Sequence, residues 1–176
     1  WRKRINKYLR EDKMSHSKNK LRWCLKKALE DGSKRKHRGL IRIEPDLMMA
    51  KKYIEKAEHY LNATIYLEKD FSDVSASTIF YSIYHSLLAV LAKFGYESQN
   101  QECTFAVIYS LIEDRKIDLE KELIERISSF ELDEDIVGLR EKYQYGIELS
   151  MKKELFNESL NLARKLLGRV KEVLEE

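Results

Sequence analysis

Residues that turn or kink a backbone are scarce in this chain: one proline, Pro45, and six glycines occur in 176 positions. An all-β sandwich needs many tight turns, so this scarcity argues against one. Two cysteines, Cys24 and Cys103, lie far apart with no Cys-x-x-Cys spacing and no histidine partner. They predict reduced thiols in a cytoplasmic protein, not a disulfide scaffold or a zinc site. The longest apolar run, around 87–92, stops at Lys93. That is well short of the roughly 18 residues of a membrane span, so no membrane association is expected. The basic N-terminus has no apolar segment of the kind a secretory signal carries. A Gly-rich phosphate loop, a Ser-His-Asp arrangement, an EF-hand and a nucleotidyltransferase Gly-Ser motif are all missing, and no histidine follows His85. No cofactor and no metal site are expected.

What the chain does have is charge and apolar periodicity. Hydrophobic residues make up 43% and charged residues 36%, the balance of a helical protein with a packed core. The net charge of +3 hides an asymmetry. Residues 1–42 hold sixteen Lys and Arg against four acids (Glu11, Asp12, Glu30, Asp31), leaving 17 bases and 26 acids of the totals of 33 and 30. The first segment is therefore +12 and the remainder −9. Such polarity suits a nucleic-acid arm, or an arm that docks on its own acidic body. Both readings stay open.

Residues 1–13 have the composition of a short basic helix. Leu21, Cys24, Leu25 and Leu29 then fall at helical spacing over about 17–30, with Gly32 to close the helix. The stretch after it reads as a loop whose basic cluster is Lys34, Arg35, Lys36, His37 and Arg38. Presented together, these side chains would contact several phosphates, with strong salt dependence, although a solvated loop has the same composition. Leu40, Ile41 and Ile43 lead to Pro45 and Asp46, a helix entry. The chain thus divides into a basic helical arm and connector, 1–45, and a bundle, 46–176.

Within the bundle, Ala50, Tyr53 or Ile54, Ala57, Tyr60 or Leu61, Thr64 and Leu67 hold helical period over 46–69. Ser72 or Asp73 is expected to cap a second long helix reaching Phe94 and ended by Gly95. That helix is apolar around most of its circumference and should be central, with Ser75, Ala76 and Ser77 small enough for a neighbour to come close. Ser98 is expected to cap a third helix through Leu111, and a short helix covers about 119–130. Asp133 or Glu134 opens another through Tyr143. A last helix, about 153–175, repeats Phe156, Leu160, Ala163, Leu167, Val170 and Leu174 as a coiled-coil-like seam. Long helices with short loops predict an all-α, up-and-down bundle with a basic N-terminal helical extension.

Two stretches, FYSIYHSLLAVLAKFGYES (80–98) with QNQECTF after it, and LREKYQY (139–145) before the last helix, resemble HEPN domains. The match is to a small prokaryotic branch with an aromatic-aromatic-x-x-x-His helix and a later Arg-x-x-x-x-Tyr. The resemblance covers about 46–176 and implies a bundle that dimerises through long helices. The family includes ribonuclease toxins and inactive relatives, often paired with a nucleotidyltransferase antitoxin. The resemblance therefore implies a homodimer, that partner, and RNA or nucleotide as ligand. Active members use an Arg and a His separated by four to six residues. Arg140 matches the arginine, but Tyr145, Gly146 and Ile147 stand where the histidine would be. The expectation is a catalytically degenerate protein.

Metal-free RNA cleavage needs a base, an acid and a cation for the phosphate. Arg140 is the cation, or else it pairs structurally with Glu134, Asp135 or Glu141. Tyr145 has too high an ordinary pKa, about 10, to be a good base, and packing is its favoured role. Stacking and, by resemblance, modification of Tyr145 or Tyr143 are the alternatives. His85 lies one turn from Tyr81 and reads as a core histidine, unless the fold turns it toward Arg140. The remaining rival readings are a working ribonuclease using Arg140 with His85 or Tyr145, and a purely structural dimer. Tyrosines at helical spacing are usually core, though a subset suits a nucleotide cleft.

Overall fold

The computed structural model describes residues 15–31, 39–128 and 136–176. Its elements run α1 (His16–Asp31), β1 (Leu40–Arg42), α2 (Leu47–Leu67), α3 (Ser72–Lys93), β2 (Tyr96–Ser98), α4 (Gln101–Glu113), α5 (Lys121–Ser128), α6 (Ile136–Tyr145) and α7 (Lys153–Glu175). The chain is an all-α helical bundle carrying one small two-stranded sheet. The basic cluster Lys34, Arg35, Lys36, His37 and Arg38, the 1–13 segment, Gly32, Asp133 and Glu134 lie outside the described residues.

α3 is the axis of the bundle, packed by α2, α7, α6 and α4. Ile79, Ile83, Leu87, Val90 and Leu91 on it are all but sealed from solvent. By length and mean hydropathy this helix could cross a membrane, contrary to the expectation drawn from unbroken runs, because its serines dilute the apolar average only slightly. Its apolarity is used internally: 72% of that window is buried in the bundle.

α2 meets α3 along small residues. Ala50, Ala57, Ser75, Ala76 and Ser82 are buried, and Ser82 Oγ donates to the Ala57 carbonyl at 2.9 Å. Thr64, the one polar member of the α2 stripe, shares a 2.7 Å hydrogen bond with Thr78 and donates to the Tyr60 carbonyl. A buried hydroxyl without such a partner would cost about 1–3 kcal/mol, so the pair explains the residue.

At the expected Pro45–Asp46 entry, Asp46 caps α2, its Oδ1 accepting from Met49 N–H at 2.8 Å. The two expected caps that follow are displaced. α3 is preceded by Phe71 with no side-chain cap bond, and Ser72 Oγ instead accepts from the Met151 N–H at 2.9 Å. Asn100 caps α4 through Cys103 N–H, while Ser98 belongs to β2. The sheet was not expected: β1 and β2 pair antiparallel, Leu40 opposite Ser98 and Arg42 opposite Tyr96. Gly95 ends α3 at φ +77°, and a Cβ there would lie 2.8 Å from the Ile43 carbonyl oxygen. Only glycine fits that turn without strain.

α7 has the predicted bounds, but its buried face is wider than a two-position seam. Leu162, Leu166 and Val173 join Phe156, Leu160, Ala163, Leu167 and Val170, because α7 packs on both α2 and α3. Leu174 is only partly buried.

α1 packs on α4 and β1, antiparallel to α4. One neighbouring helix covers only a narrow stripe, so Ser17, Cys24 and Ala28 are buried while Leu29, expected inside, is 82% exposed. The expectation of free thiols is overturned: Cys24 and Cys103 form a disulfide across a sequence separation of 79. Lys18 pairs with Asp114 and Lys20 with Glu102, each at 2.6 Å, and Ser15 and Ser17 both donate to Glu113. Of the two open readings of the basic segment, these contacts follow the self-docking one for α1.

Candidate functional site

Tyr53 and Tyr60 are seven residues apart on α2, two turns, and so share one face. On α3, Phe80 and Tyr84, and Tyr81 and His85, are one turn apart. Because α2 and α3 approach so closely, the two sets meet. His85 lies nearly parallel to Tyr60, with centroids 5.5 Å apart at 7°, and to Tyr53, 5.9 Å at 25°. Tyr60 contacts Tyr81 at 5.2 Å, Tyr81 meets Phe80 edge-on, and Phe80 stacks on Tyr84 at 5.7 Å. Such offset and edge-on pairs are the geometry aromatic rings favour.

Two rings of this row, Phe80 and Tyr60, each carry a cation. The Arg140 guanidinium, brought by α6, sits 4.4 Å from the Phe80 ring centroid, and Lys56 Nζ sits 5.1 Å from that of Tyr60. Phe80 is buried, whereas Tyr53, Tyr60, Tyr81, Tyr84 and His85 are half-buried and keep part of their surface toward solvent. The result is an aromatic row lying over the α2–α3 seam, with cations on two of its rings.

Two nitrogens in the row, His85 Nδ1 and Arg140 Nε, are buried without a hydrogen-bond partner. Groups of this kind are rare in folded proteins and are concentrated where a fold has work other than stability. The neutral imidazole can place its proton on Nε2 and leave Nδ1 a bare lone pair. Burial, and then the nearby Lys56 charge, push the His85 pKa down, which favours that neutral form. Burial likewise raises the phenols of Tyr53 and Tyr84, the latter against hydrogen bonds with Thr104 and Ser98. The row is therefore uncharged at neutral pH apart from its two cations.

The sequence-predicted site residues are only partly brought together. Arg140 and His85 belong to one row but stand apart, linked through Phe80 and Tyr84, and among the described residues no hydrogen bond joins them. His85 is not sealed among Leu and Phe side chains; its neighbours are tyrosines. The packing role for Tyr145 fails within the chain: it is 74% exposed at the last turn of α6, and Tyr143 is the tyrosine that packs. Of the structural partners named for Arg140, Glu141 lies at 3.6 Å, and Glu134 and Asp135 are outside the described residues. Sequence reasoning did not separate Tyr53, Tyr60 and Lys56 from the other α2 residues. The usable signal was their 53–56–60 spacing facing the Tyr81–His85 turn.

Neither the family models nor the curated proteins contain a match to this chain. Flat apolar faces beside fixed cations can stack a base and hold a phosphate; paired acid–base chemistry needs two titratable groups in reach of each other, and here they are not. Among the described residues no three His, Cys, Asp or Glu side chains are grouped to hold a metal ion. A second concavity, of about 540 Å³ between the α2–α3 turn and the start of α7, is lined by residues such as Lys69, Ser72, Lys153 and Phe156 and includes no residue of the row.

Proposed function

We propose that this chain is a nucleotide- or RNA-binding helical protein of HEPN type, dimeric and catalytically degenerate, with the α2–α3 aromatic row as its ligand face. The observation that carries this reading is the half-exposed Tyr53–His85–Tyr60–Tyr81 stack, flanked by Lys56 and Arg140. Stacking on aromatic side chains is tolerant of base identity and contributes about 1–3 kcal/mol per base. Lys56 and Arg140 would engage phosphates, Arg140 through a planar fork suited to phosphate oxygens. In this reading the protein acts beside a nucleotidyltransferase partner, as the sequence resemblance implies, and it holds RNA or nucleotide without cutting it.

Binding of a short single-stranded oligoribonucleotide to the full chain, in low salt with chelator present, tests this. Tyr60→Ala and Arg140→Ala should each weaken binding about tenfold or more, and intact RNA should be recovered. Failure of the folded wild-type chain to bind either RNA or mononucleotides would sink the proposal. A working ribonuclease is the second reading, favoured by the half-exposed His85 whose neutral form can accept a proton. Chelator-resistant cleavage, abolished by both His85→Ala and Arg140→Ala, would establish it instead.

A further inference from the structure

The attachment of α1 to α4 carries a disulfide, Cys24–Cys103. Among its apolar side chains only Cys24 and Ala28 are buried, with Leu21 and Leu25 partly so. Its neighbours include α4 and β1, and ion pairs and hydroxyl–carboxylate bonds fasten it at the rim. On α4, helical spacing places the small residues Ala106 and Ser110 in line between Cys103 and Asp114. That stripe allows close approach but supplies little apolar area to bury. Ion pairs at the rim, such as Lys18–Asp114 with both partners over a third exposed, add little and are screened by salt. To these the Cys24–Cys103 bond adds a covalent restraint on α1.

We propose that Cys24–Cys103 is a redox modification site that latches α1 to α4, and that a dithiol reductant opens it. A reductant thiolate attacks one sulfur of the bond and forms a mixed disulfide, while the other sulfur leaves as a thiolate and takes up a proton. The second thiol of the reductant then displaces the first cysteine, giving two protein thiols and an oxidised, disulfide-bonded reductant. Both sulfurs are shielded by the α1–α4 contact, so attack follows a local lifting of α1.

Opening changes the charge pattern of the surface in one step. It frees the basic helix α1 from α4, and it uncovers Glu102 and Glu113 on α4 and Asp114 just after it. A tethered basic helix with an apolar stripe is a ligand for polyanions, which the closed form presents less fully. The latch is a property of α1 and α4 and holds whether or not the aromatic row binds RNA.

Hydrogen exchange on the full chain, oxidised and then treated with excess dithiothreitol, tests the latch. The Cys24→Ser/Cys103→Ser double variant, left untreated, serves as a permanent open form. Amides of 16–31 should lose protection about tenfold or more on reduction and in the variant, while those of α3 and α7 keep theirs. Three results would overturn the proposal: a disulfide that native protein retains in excess reductant, an α1 that stays protected once reduced, or equal loss of protection throughout the bundle.

Discussion

α2 lies on α3 through Ala57, Ser75, Ala76 and Ser82, whereas α1 lies on α4 through Lys18, Lys20, Glu113 and one covalent bond. In the first pair, small side chains let two backbones approach, and the gain comes from dispersion and excluded water over a long contact. In the second, charge complementarity aligns the helices and a disulfide holds them. The lesson is that helical periodicity in a sequence reports burial, not the strength of attachment. Both α1 and α2 have an apolar stripe, yet α1 reaches the core with Cys24, Leu21 and Leu25 alone of those predicted, while its Leu29 faces solvent.

The comparison can be broken at its core side first. Phe156→Ala removes a ring that is 1% exposed beneath α3, and should cost about 3–5 kcal/mol of global stability in urea unfolding. A loss under about 1 kcal/mol would show that the core is loose, contrary to its burial. Ala57→Leu forces bulk into the α2–α3 seam and should cost about 1–3 kcal/mol, with the Ser82 hydrogen bond strained. The matching change on the α1 side, Glu113→Gln, weakens the bonds from Ser15 and Ser17. It should shift α1 amide exchange alone, by about 1 kcal/mol or less given the solvent screening at that rim.

Acid should separate the two contacts by pH. The folded-state pKa of His85 is depressed, so the unfolded chain takes up its proton first as pH falls below about 6.5. The stability linked to His85 is present above that value and is lost toward its lowered pKa. For Glu113, burial works upward, but the Ser15 and Ser17 hydrogen bonds and Lys18 hold its pKa below the ordinary value. Its contribution is present above about pH 4.5 and vanishes as pH falls through the lowered value. The α2–α3 rim should therefore weaken at milder acidity than the α1 dock. His85→Phe should remove the first step in a pH series of thermal unfolding and leave the second.

Most helices were legible because their stripes are long: α7 and α2 match expectation within two residues, and Pro45–Asp46 marked the entry to α2. What escaped reading is non-local or short. Three-residue strands are too brief to show alternation, so β1 and β2 read as a connector and a helix start. Ser98 has the chemistry of a cap, but its hydroxyl bonds Thr104 and the Asn100 carbonyl from within a strand. Cysteine pairing cannot be inferred from two isolated positions, and a cation over Phe80 cannot be seen from the Arg140 side of the sequence. His85 was noticed through Tyr81 on its own helix, yet its closest parallel partners came from α2.

The backbone joins between α2 and α3 have a mechanical meaning. At one end a short turn links them; at the other, the strand ribbon ties them again, with Ile43 N–H bonded to the Gly95 carbonyl and Asp46 N–H to that of Ala92. Two rods fastened at both ends form a closed frame that cannot splay like a hairpin. Rings mounted across such a frame hold their spacing, so a planar ligand, under the proposed function, would meet a surface already set. Little ordering remains to be done on contact, and the free energy of stacking is not spent on stiffening the receptor.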